Sequence, residues 1–459
     1  MNPLHAYLAL TAAHEQRAVP KAACRHVHLH QVPFVIAGYH LAGDQGAPLA
    51  LMWGEGTHAS PQIVVVPEPR NRELRFARLG RFSTAFLDYL SRCGDAPQII
   101  VPNTTTAQWL SGIVGRFTRN LRMDVDPRPP ESVPITGKHL AFLGDQLPGS
   151  SLMIAATDVL SDHWQTGQLP AEDLNLGALL GWIDPPVGET AAIAARRGEL
   201  EPPAGPISDP NWDAHTLTRL IDEWHEAEDD VSRQLVSAEL AEELRQQLAP
   251  AWQNCCRAVE LLDSLPEGEH VQPRWNRDCS FWQEHAQRVA AGQASFRNIP
   301  TPTQAATNLH VAEDATAAYE REKALDDRLI MAAYVAGGQA LAGVVTSVDL
   351  DHTEIGATTR RRLRPLFSVA ASIPFTRPVG TSLYLVDYPD VETEVVGIDD
   401  AGVVALKVVN GAISKKTISR IPAQGDKVVM SHFPPRQYFP RAKIPDVPWT
   451  HQEVPSDDI

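Results

Sequence analysis

The chain of 459 residues is long enough for about two to four domains, and its 43% of hydrophobic residues can build cores. Its net charge of −16 disfavours non-specific binding of nucleic acid by the chain as a whole, although a local basic face stays compatible with it. Its five cysteines are irregularly spaced, which disfavours a disulfide framework and favours a cytoplasmic location. No apolar run approaches the length of a membrane span, so we expect no membrane association.

The acidic charge is concentrated in one block of the sequence. Residues 158–270 contain 23 Asp and Glu against 6 Lys and Arg. The flanks are balanced or basic, since residues 360–443 contain 13 Lys and Arg against 7 Asp and Glu. Five arginines also stand against one glutamate between Arg70 and Arg81. This distribution favours a modular protein with basic faces on either side of an acidic middle.

Residues 1–168 predict a mixed α/β domain. Two apolar runs joined by Gly43-Asp44-Gln45-Gly46 predict a β-hairpin, because these residues favour a tight turn. Further strands are predicted at 62–66, 98–101 and 151–155, with helices at 72–90, 106–121 and 158–166. In the helix at 106–121 the spacing of Trp109, Ile113 and Phe117 predicts one apolar face. A five-stranded mixed sheet with helices on its faces satisfies this order, which is similar to the strand order of the ribonuclease H-like fold.

The rest of the chain predicts three further segments and a tail. Clustered prolines predict an extended Pro-rich linker at 169–212. An acidic helical module is predicted at 213–338, where Leu217, Leu220, Ile221 and Trp224 form an apolar stripe that we expect to be core. After this module the apolar residues alternate with a period of two residues, as in β-strands. This pattern predicts a small β-barrel at 339–443, before a polar tail at 444–459.

Carboxylates are scarce where a nuclease of the ribonuclease H-like fold would need them. Such an enzyme holds two metal ions with several carboxylates on adjacent strands. The first strand has none, and the fourth ends in Pro102-Asn103-Thr104. Asp158 is well placed, but Asp145 or Asp44 would have to reach it from loops. We therefore expect a non-catalytic protein. The alternative is a metal-dependent nuclease or hydrolase that uses Asp158 with loop carboxylates.

Two other motifs resemble ligand sites. Cys24, His26, His28 and His30 alternate, and in a strand they would point to one face, as metal ligands can. The sequence places no acidic or cysteine partner beside them. The run Gly54-Glu55-Gly56-Thr57-His58-Ala59 has the spacing of a dinucleotide fingerprint, but a proline and a strand follow it where a helix is required. We predict no metal and no cofactor.

The basic residues indicate which partner the protein binds. Arginine pairs well with phosphate, and dense arginines can follow a phosphate backbone. The candidate nucleic-acid-binding residues are Arg360, Arg361, Arg362, Arg364, Lys415, Lys416, Arg72, Arg75 and Arg78. They predict a non-catalytic nucleic-acid-associated or assembly protein whose basic barrel and Arg-rich segment contact a polyanion or a partner enzyme. The same arginines are also compatible with docking onto the chain's own acidic module, in which case the protein is a structural adaptor. The oligomeric state stays open.

Overall fold

The computed structural model describes residues 3–294, 299–355, 361–414 and 416–434. Its contacts divide the chain into two compact units, one spanning Leu8–Pro300 and one formed by Thr301 onward together with Met1–Tyr7. Within the described ranges, no helix is long and apolar enough to cross a membrane. The predicted fold class is confirmed: an N-terminal mixed sheet with helices, a helical middle and a C-terminal β-barrel.

The unit spanning Leu8–Pro300 is built around a five-stranded sheet. The strands up to residue 300 are β1 (Val19–Pro20), β2 (Phe34–Leu41), β3 (Asp44–Glu55), β4 (Gln62–Val65), β5 (Ile99–Val101), β6 (Met153–Ala155) and β7 (Trp164–Gln165). The sheet has the order β4-β3-β2-β5-β6, while β1 and β7 form a separate short pair. Strands β2, β3 and β4 are antiparallel neighbours, whereas β5 lies parallel to β2 and β6 parallel to β5. The predicted hairpin is therefore confirmed, and Gly43 in its turn has a φ of 74°.

Helices cover both faces of this sheet. The α-helices that begin before residue 300 are α1 (Pro3–Glu15), α2 (Arg72–Arg92), α3 (Thr104–Gln108), α4 (Arg116–Thr118), α5 (Ser132–Leu143), α6 (Ala156–His163), α7 (Leu176–Ile183), α8 (Ala191–Leu200), α9 (Pro210–Trp212), α10 (Thr218–Glu226), α11 (Asp230–Asp263) and α12 (Val271–Ala290). Two π-helical segments join them, Trp109–Gly115 before α4 and Asp213–Leu217 before α10.

The two faces of the sheet form two separate cores, because side chains alternate between the faces along each strand. On one face, residues such as Val35, Tyr39 and Met52 pack with α7, α10 and α11. On the other, residues such as Phe34 and Ile36 pack with α2, α5 and α12. Helices α10, α11 and α12 of the predicted helical module therefore share their cores with the sheet.

The segment at 169–212 differs from the extended linker that its prolines predict. It contains α7 and α8, which pack closely against each other and belong to the core. Small residues allow this approach, since a Cβ at Gly198 would clash with the backbone of Gly177. Helix α7 is apolar on every side, as expected of a buried helix. The prolines lie before, between and after these helices.

The described part of the second unit from Thr301 onward contains helices and a closed barrel. Its helices are α13 (Pro302–Asp326) and α14 (Arg328–Ala336), separated at Asp327. Its strands are β8 (Leu341–Asp349), β9 (Thr353–Ile355), β10 (Arg361–Leu363), β11 (Leu366–Ala371), β12 (Ser382–Leu385), β13 (Glu392–Ile398), β14 (Val403–Val408) and β15 (Lys427–Ser431). The barrel order is β11-β14-β13-β12-β15-β8, and β9 and β10 form a separate antiparallel hairpin. Closure leaves the barrel without exposed edges, and alternate residues such as Phe367, Val369 and Leu406 fill it.

Candidate nucleic-acid interface

The basic segment at Arg70–Arg81 lies at the start of α2, beside an open cleft of about 510 Å³. One wall of the cleft comes from α2, the second from the turn of the β2–β3 hairpin, and the third from residues between Ile113 and Leu121, at the end of the π-helical segment, in α4 and just after it. Apolar side chains, including Phe76 and Leu79, line its interior together with the guanidinium groups of Arg72 and Arg75. We call this the α2 cleft.

Arg72 and Arg75 are placed where the helix itself does not favour them. The N-terminus of an α-helix carries a partial positive charge, which disfavours cations in the first turn. Glu73 is the sole acidic residue in the first turn of α2. Within the part of the chain that the structure describes, neither Arg72 nor Arg75 forms an ion pair. Burial lowers the pKa of Arg75, and Asp44, whose charge opposes that lowering, is itself bound by Arg70 at 3.1 Å.

The two arginines differ in how tightly the protein holds them. The side chain of Arg75 donates from Nη1 to the carbonyl oxygens of Gly46 and Pro69, at 3.2 and 3.3 Å. Burial lowers the pKa of this guanidinium, and the charge of Arg72 lowers it further, while Asp44 opposes both effects. Arg72 is exposed, and both guanidinium groups lie over the ring of Phe76, at 5.6 and 5.1 Å from its centre. The cleft therefore has one fixed and one adaptable cation.

Phe117 lies on the opposite wall of the α2 cleft and is 63% exposed. The predicted apolar face of Trp109, Ile113 and Phe117 is therefore wrong at its last member, since Trp109 is only 3% exposed. The reason is the π-helical segment Trp109–Gly115. Its i→i+5 hydrogen bonds widen the turn, so the residues that follow the segment are rotated relative to those before it, compared with a continuous α-helix. The helix consequently turns Phe117 toward solvent.

Arg78 lines a second cleft, separate from that of Arg72 and Arg75. This cleft has a volume of about 530 Å³ and includes Glu68, Trp224 and Arg233. Trp224, which the sequence predicts to be core, is half-buried here, whereas Leu217 and Leu220 of the same stripe are buried. The indole Nε1 of Trp224 donates to Ser237 Oγ at 3.0 Å. The local charge is mixed, so this second cleft is less suited to a polyanion.

In the barrel unit, some of the candidate nucleic-acid-binding residues are exposed and others have a structural role. Arg361 and Arg362 are exposed on β10, where Arg362 is paired in register with Glu354 of β9. Arg364 has a structural role, because its Nη1 donates to the carbonyl oxygen of Val409 at 2.6 Å. Lys416 is exposed. Arg360 and Lys415 lie outside the described residues. Two exposed arginines on the β9–β10 hairpin thus form a second basic surface.

The carboxyl ends of β2, β5 and β6 carry few acidic groups among the described residues. His40 lies near the end of β2, and Asn103 follows β5. Asp158 is in the first turn of α6, where the Thr104 hydroxyl donates to its Oδ2 and the Thr157 hydroxyl to its Oδ1.

The two loop carboxylates lie in different places. Asp44 is bound to Arg70 beside the α2 cleft. Asp145 follows α5, near enough to Arg119 to raise the pKa of that arginine, although burial of Arg119 has the larger, lowering effect.

A segment of the predicted linker lies across the ends of β2 and β5. We call residues 201–209 the strap. The side chain of Asn103 donates from Nδ2 to the carbonyl oxygen of Gly205 at 3.0 Å, and the hydroxyl of Tyr39 donates to that of Pro203 at 2.6 Å. The backbone N–H of His40 donates to the carbonyl oxygen of Pro206 at 2.9 Å. The strap therefore uses polar groups at the carboxyl ends of β2 and β5.

The histidine segment does not form a strand. Residues 24–30 have irregular backbone, and within the segment Sγ of Cys24 lies 3.8 Å from Nε2 of His26. Gln98, which is fully buried, fixes this segment with its amide: Nε2 donates to the carbonyl oxygens of His28 and Ser151, and Oε1 accepts from the N–H of His30. The ring of His28 stacks on Trp275 at 4.2 Å. These contacts give the segment a structural role in this unit.

A buried pair of histidines, His139 and His285, was not identified from the sequence. Nδ1 of His139 lies 3.2 Å from Nε2 of His285, and the ring of His285 stacks on Phe142. Burial lowers the pKa of His139 to about 3 and that of His285 to about 4. Their spacing in sequence gives no signal, because α5 and α12 are brought together only by the fold.

A comparison with models of protein families found no match, and comparisons with curated proteins and with solved structures found none either.

Proposed function

We propose that this chain is a non-catalytic nucleic-acid-binding protein whose principal contact is the α2 cleft, with the exposed arginines of the β9–β10 hairpin as a second contact. The observation that carries the proposal is the position of Arg72 and Arg75. They line an open cleft, form no ion pair within the described part of the chain, and stand at the positive end of a helix. A bound phosphate would offset the unfavourable interaction with the helix dipole.

The net charge of the whole chain, −16, does not oppose a local contact of this kind. Screening at physiological ionic strength acts over a length of about 8 Å, so a surface phosphate responds mainly to nearby groups. At the α2 cleft these are Arg70, Arg72 and Arg75, against Asp44 and Glu73. Arginine is also the side chain best matched to phosphate geometry.

The strand order supports the non-catalytic part of the proposal. The order β4-β3-β2-β5-β6 is similar to that of the ribonuclease H-like fold, in which two-metal nucleases use carboxylates on adjacent strands. Here His40 and Asn103 stand near the ends of the two central strands, and both interact with the strap. The similarity of strand order is an analogy between folds and does not itself establish an activity.

The test is fluorescence anisotropy with labelled single- and double-stranded oligonucleotides at several salt concentrations. Replacing one arginine that binds a phosphate should flatten the slope of log affinity against log salt by about 1. We expect this for Arg72→Gln and Arg75→Gln, and also for Arg361→Gln and Arg362→Gln. The control is Arg288→Gln, which removes an exposed arginine of α12 and should leave the slope unchanged.

Two outcomes would overturn the proposal. If the wild-type chain shows no salt-sensitive binding to either oligonucleotide, the nucleic-acid function is wrong and the adaptor interpretation replaces it. If the chain cleaves oligonucleotides in Mg²⁺ or Mn²⁺, and Asp158→Asn abolishes the cleavage, the non-catalytic assignment is wrong and the nuclease alternative is correct.

A further inference from the structure

We propose that the α2 cleft binds single-stranded nucleic acid, with one base against the ring of Phe117 and the neighbouring phosphates on Arg72 and Arg75. This inference rests on the proposed nucleic-acid function and specifies its substrate. It begins from the composition of the cleft, which combines an apolar interior with two guanidinium groups. An unstacked nucleotide combines the same two chemistries, since its base has an apolar face and its phosphate is an anion.

The exposed ring of Phe117 is the first argument for a single strand. Large aromatic rings are normally buried, and Trp109, earlier in the same helical stretch as Phe117, follows that rule. The π-helical segment that turns Phe117 outward has poorer hydrogen-bond geometry than an α-helix, and such segments are frequent at functional sites. Stacking of bases on exposed aromatic side chains is the usual way in which proteins hold single strands without reading their sequence.

The shape of the cleft is the second argument. Its volume of about 510 Å³ lies within the range of about 300–1,000 Å³ for sites that enclose small organic groups. The interior is lined by apolar side chains such as Phe76, Leu79 and Val114, which form no hydrogen bonds with a base that enters the cleft. A base in a duplex is stacked and paired, so it reaches such a site only after being flipped out. A single strand avoids that cost.

The arrangement of the walls is the third argument. Phe117 faces the hairpin turn closely, since a Cβ at Gly46 would lie 3.4 Å from its ring. The carbonyl oxygen of Gly46 in turn accepts from Arg75. The hairpin turn therefore joins the aromatic wall to the fixed arginine, so that a base and its phosphate would meet groups already held in place. Such preorganisation lowers the entropy cost of binding.

The experiment separates this inference from the proposed function by using two kinds of variant and two kinds of ligand. Anisotropy is measured for the full-length protein with a 20-nucleotide thymidine oligomer, its RNA counterpart, and a DNA duplex. Phe117→Leu removes the aromatic face and keeps an apolar side chain, while Arg72→Gln removes a charge. The matched control is Phe281→Leu, because Phe281 of α12 is also exposed, at 49%.

We expect Phe117→Leu to weaken binding of the single strands at least about fivefold and to leave duplex affinity and the salt slope unchanged. Phe117→Trp should restore binding. A single strand that contains 2-aminopurine should lose fluorescence on the wild-type protein but not on Phe117→Leu, because stacking quenches this base.

The contrary outcomes are distinct. If Phe117→Leu binds the single strands within twofold of wild type while Arg72→Gln still flattens the salt slope, the proposed function stands and this inference fails. A duplex bound more tightly than either single strand overturns the inference in the same way. If the wild-type protein binds no oligonucleotide, the proposed function fails and this inference with it. Unchanged thermal unfolding of Phe117→Leu, expected for an exposed ring, excludes misfolding as a cause.

Discussion

The backbone N–H of His40 donates to the carbonyl oxygen of Pro206 at 2.9 Å, which fixes the strap to the end of β2. Gly205, the residue before Pro206, approaches the same strand so closely that a Cβ on it would lie 2.5 Å from the carbonyl oxygen of Gly38. Its φ of 98° is also a conformation that only glycine adopts easily. The strap thus depends on one glycine for both its path and its contact with the sheet.

Gly205→Ala is therefore expected to lower the free energy of unfolding by at least about 2 kcal/mol, because the added methyl group displaces the strap. Gly188→Ala is the matched control. Gly188 has a φ of 88° but no atom within 4 Å of an added Cβ, so this change should cost only about 1 kcal/mol of backbone strain. Urea denaturation measures both. Equal losses in the two variants would mean that the contact with Gly38 contributes nothing.

The buried pair His139 and His285 predicts a loss of stability in mild acid. Both pKa values are depressed in the folded state, to about 3 and about 4, below the ordinary value of 6.5. At pH values between the folded-state pKa values and 6.5, the unfolded chain binds more protons than the folded chain. Stability therefore falls as the pH decreases from about 6.5 toward 4. At the centre of that window each histidine contributes a slope of about 1.4 kcal/mol per pH unit.

Urea midpoints measured from pH 7 to pH 5 test this slope. The double substitution His139→Asn with His285→Asn keeps neutral hydrogen-bonding groups and removes both titrations, so its midpoint should change less with pH than that of the wild type. His58→Asn, at an exposed histidine, is the control and should retain the wild-type slope. An identical pH dependence in the double variant and the wild type would refute the assignment.

Trp224 should contribute less to stability than a core tryptophan. It is half-buried, and its indole donates to Ser237 Oγ while Arg233 lies over its ring at 5.8 Å. We expect Trp224→Ala to cost about 1–2 kcal/mol. Trp252→Ala, at a residue only 6% exposed, should cost about 3–5 kcal/mol. Denaturant titration compares the two, and a larger loss at Trp224 would contradict the half-buried position.

Gln98 should be one of the most sensitive polar positions in the first unit. Its fully buried amide makes three hydrogen bonds to the backbone of His28, His30 and Ser151. Gln98→Met preserves the volume but leaves these groups unpaired, at about 1–3 kcal/mol each, so a total loss above about 3 kcal/mol is expected. Gln287→Met, on the exposed side of α12, should be neutral within about 0.5 kcal/mol. Thermal or urea unfolding checks the difference.

The arginines of the barrel unit should separate into two classes. Arg364→Gln should destabilise this unit by about 1–2 kcal/mol, because its guanidinium donates to the carbonyl oxygen of Val409. The exposed Arg361 and Arg362 should change stability by less than about 0.5 kcal/mol when replaced by Gln. A large loss of stability at Arg361 or Arg362 would instead favour intramolecular docking of these side chains.

Patterns in the amino-acid sequence predict the classes of structure along most of the chain, with the segment at 169–212 as an exception. Alternating apolar residues predict the β2–β3 hairpin and the barrel strands, since one side of each strand is buried and the other is not. The order of strands and helices in the first 168 residues likewise predicts the five-stranded mixed sheet. Composition also places basic residues at α2 and β10, because charge is a local property that does not depend on the fold.

Which of these residues share a surface depends on how the chain packs. Phe117 has the spacing of a buried residue, and it is a π-helical segment, invisible in the sequence, that turns it into the α2 cleft. The prolines of 169–212 predict a linker where the chain forms α7 and α8, and α7 shows no helical periodicity because it is apolar on all sides. Arg364 and Arg361 look equivalent in sequence, yet one is fixed to Val409 and the other is exposed. Such differences depend on contacts between distant residues, and these exist only once the chain is packed.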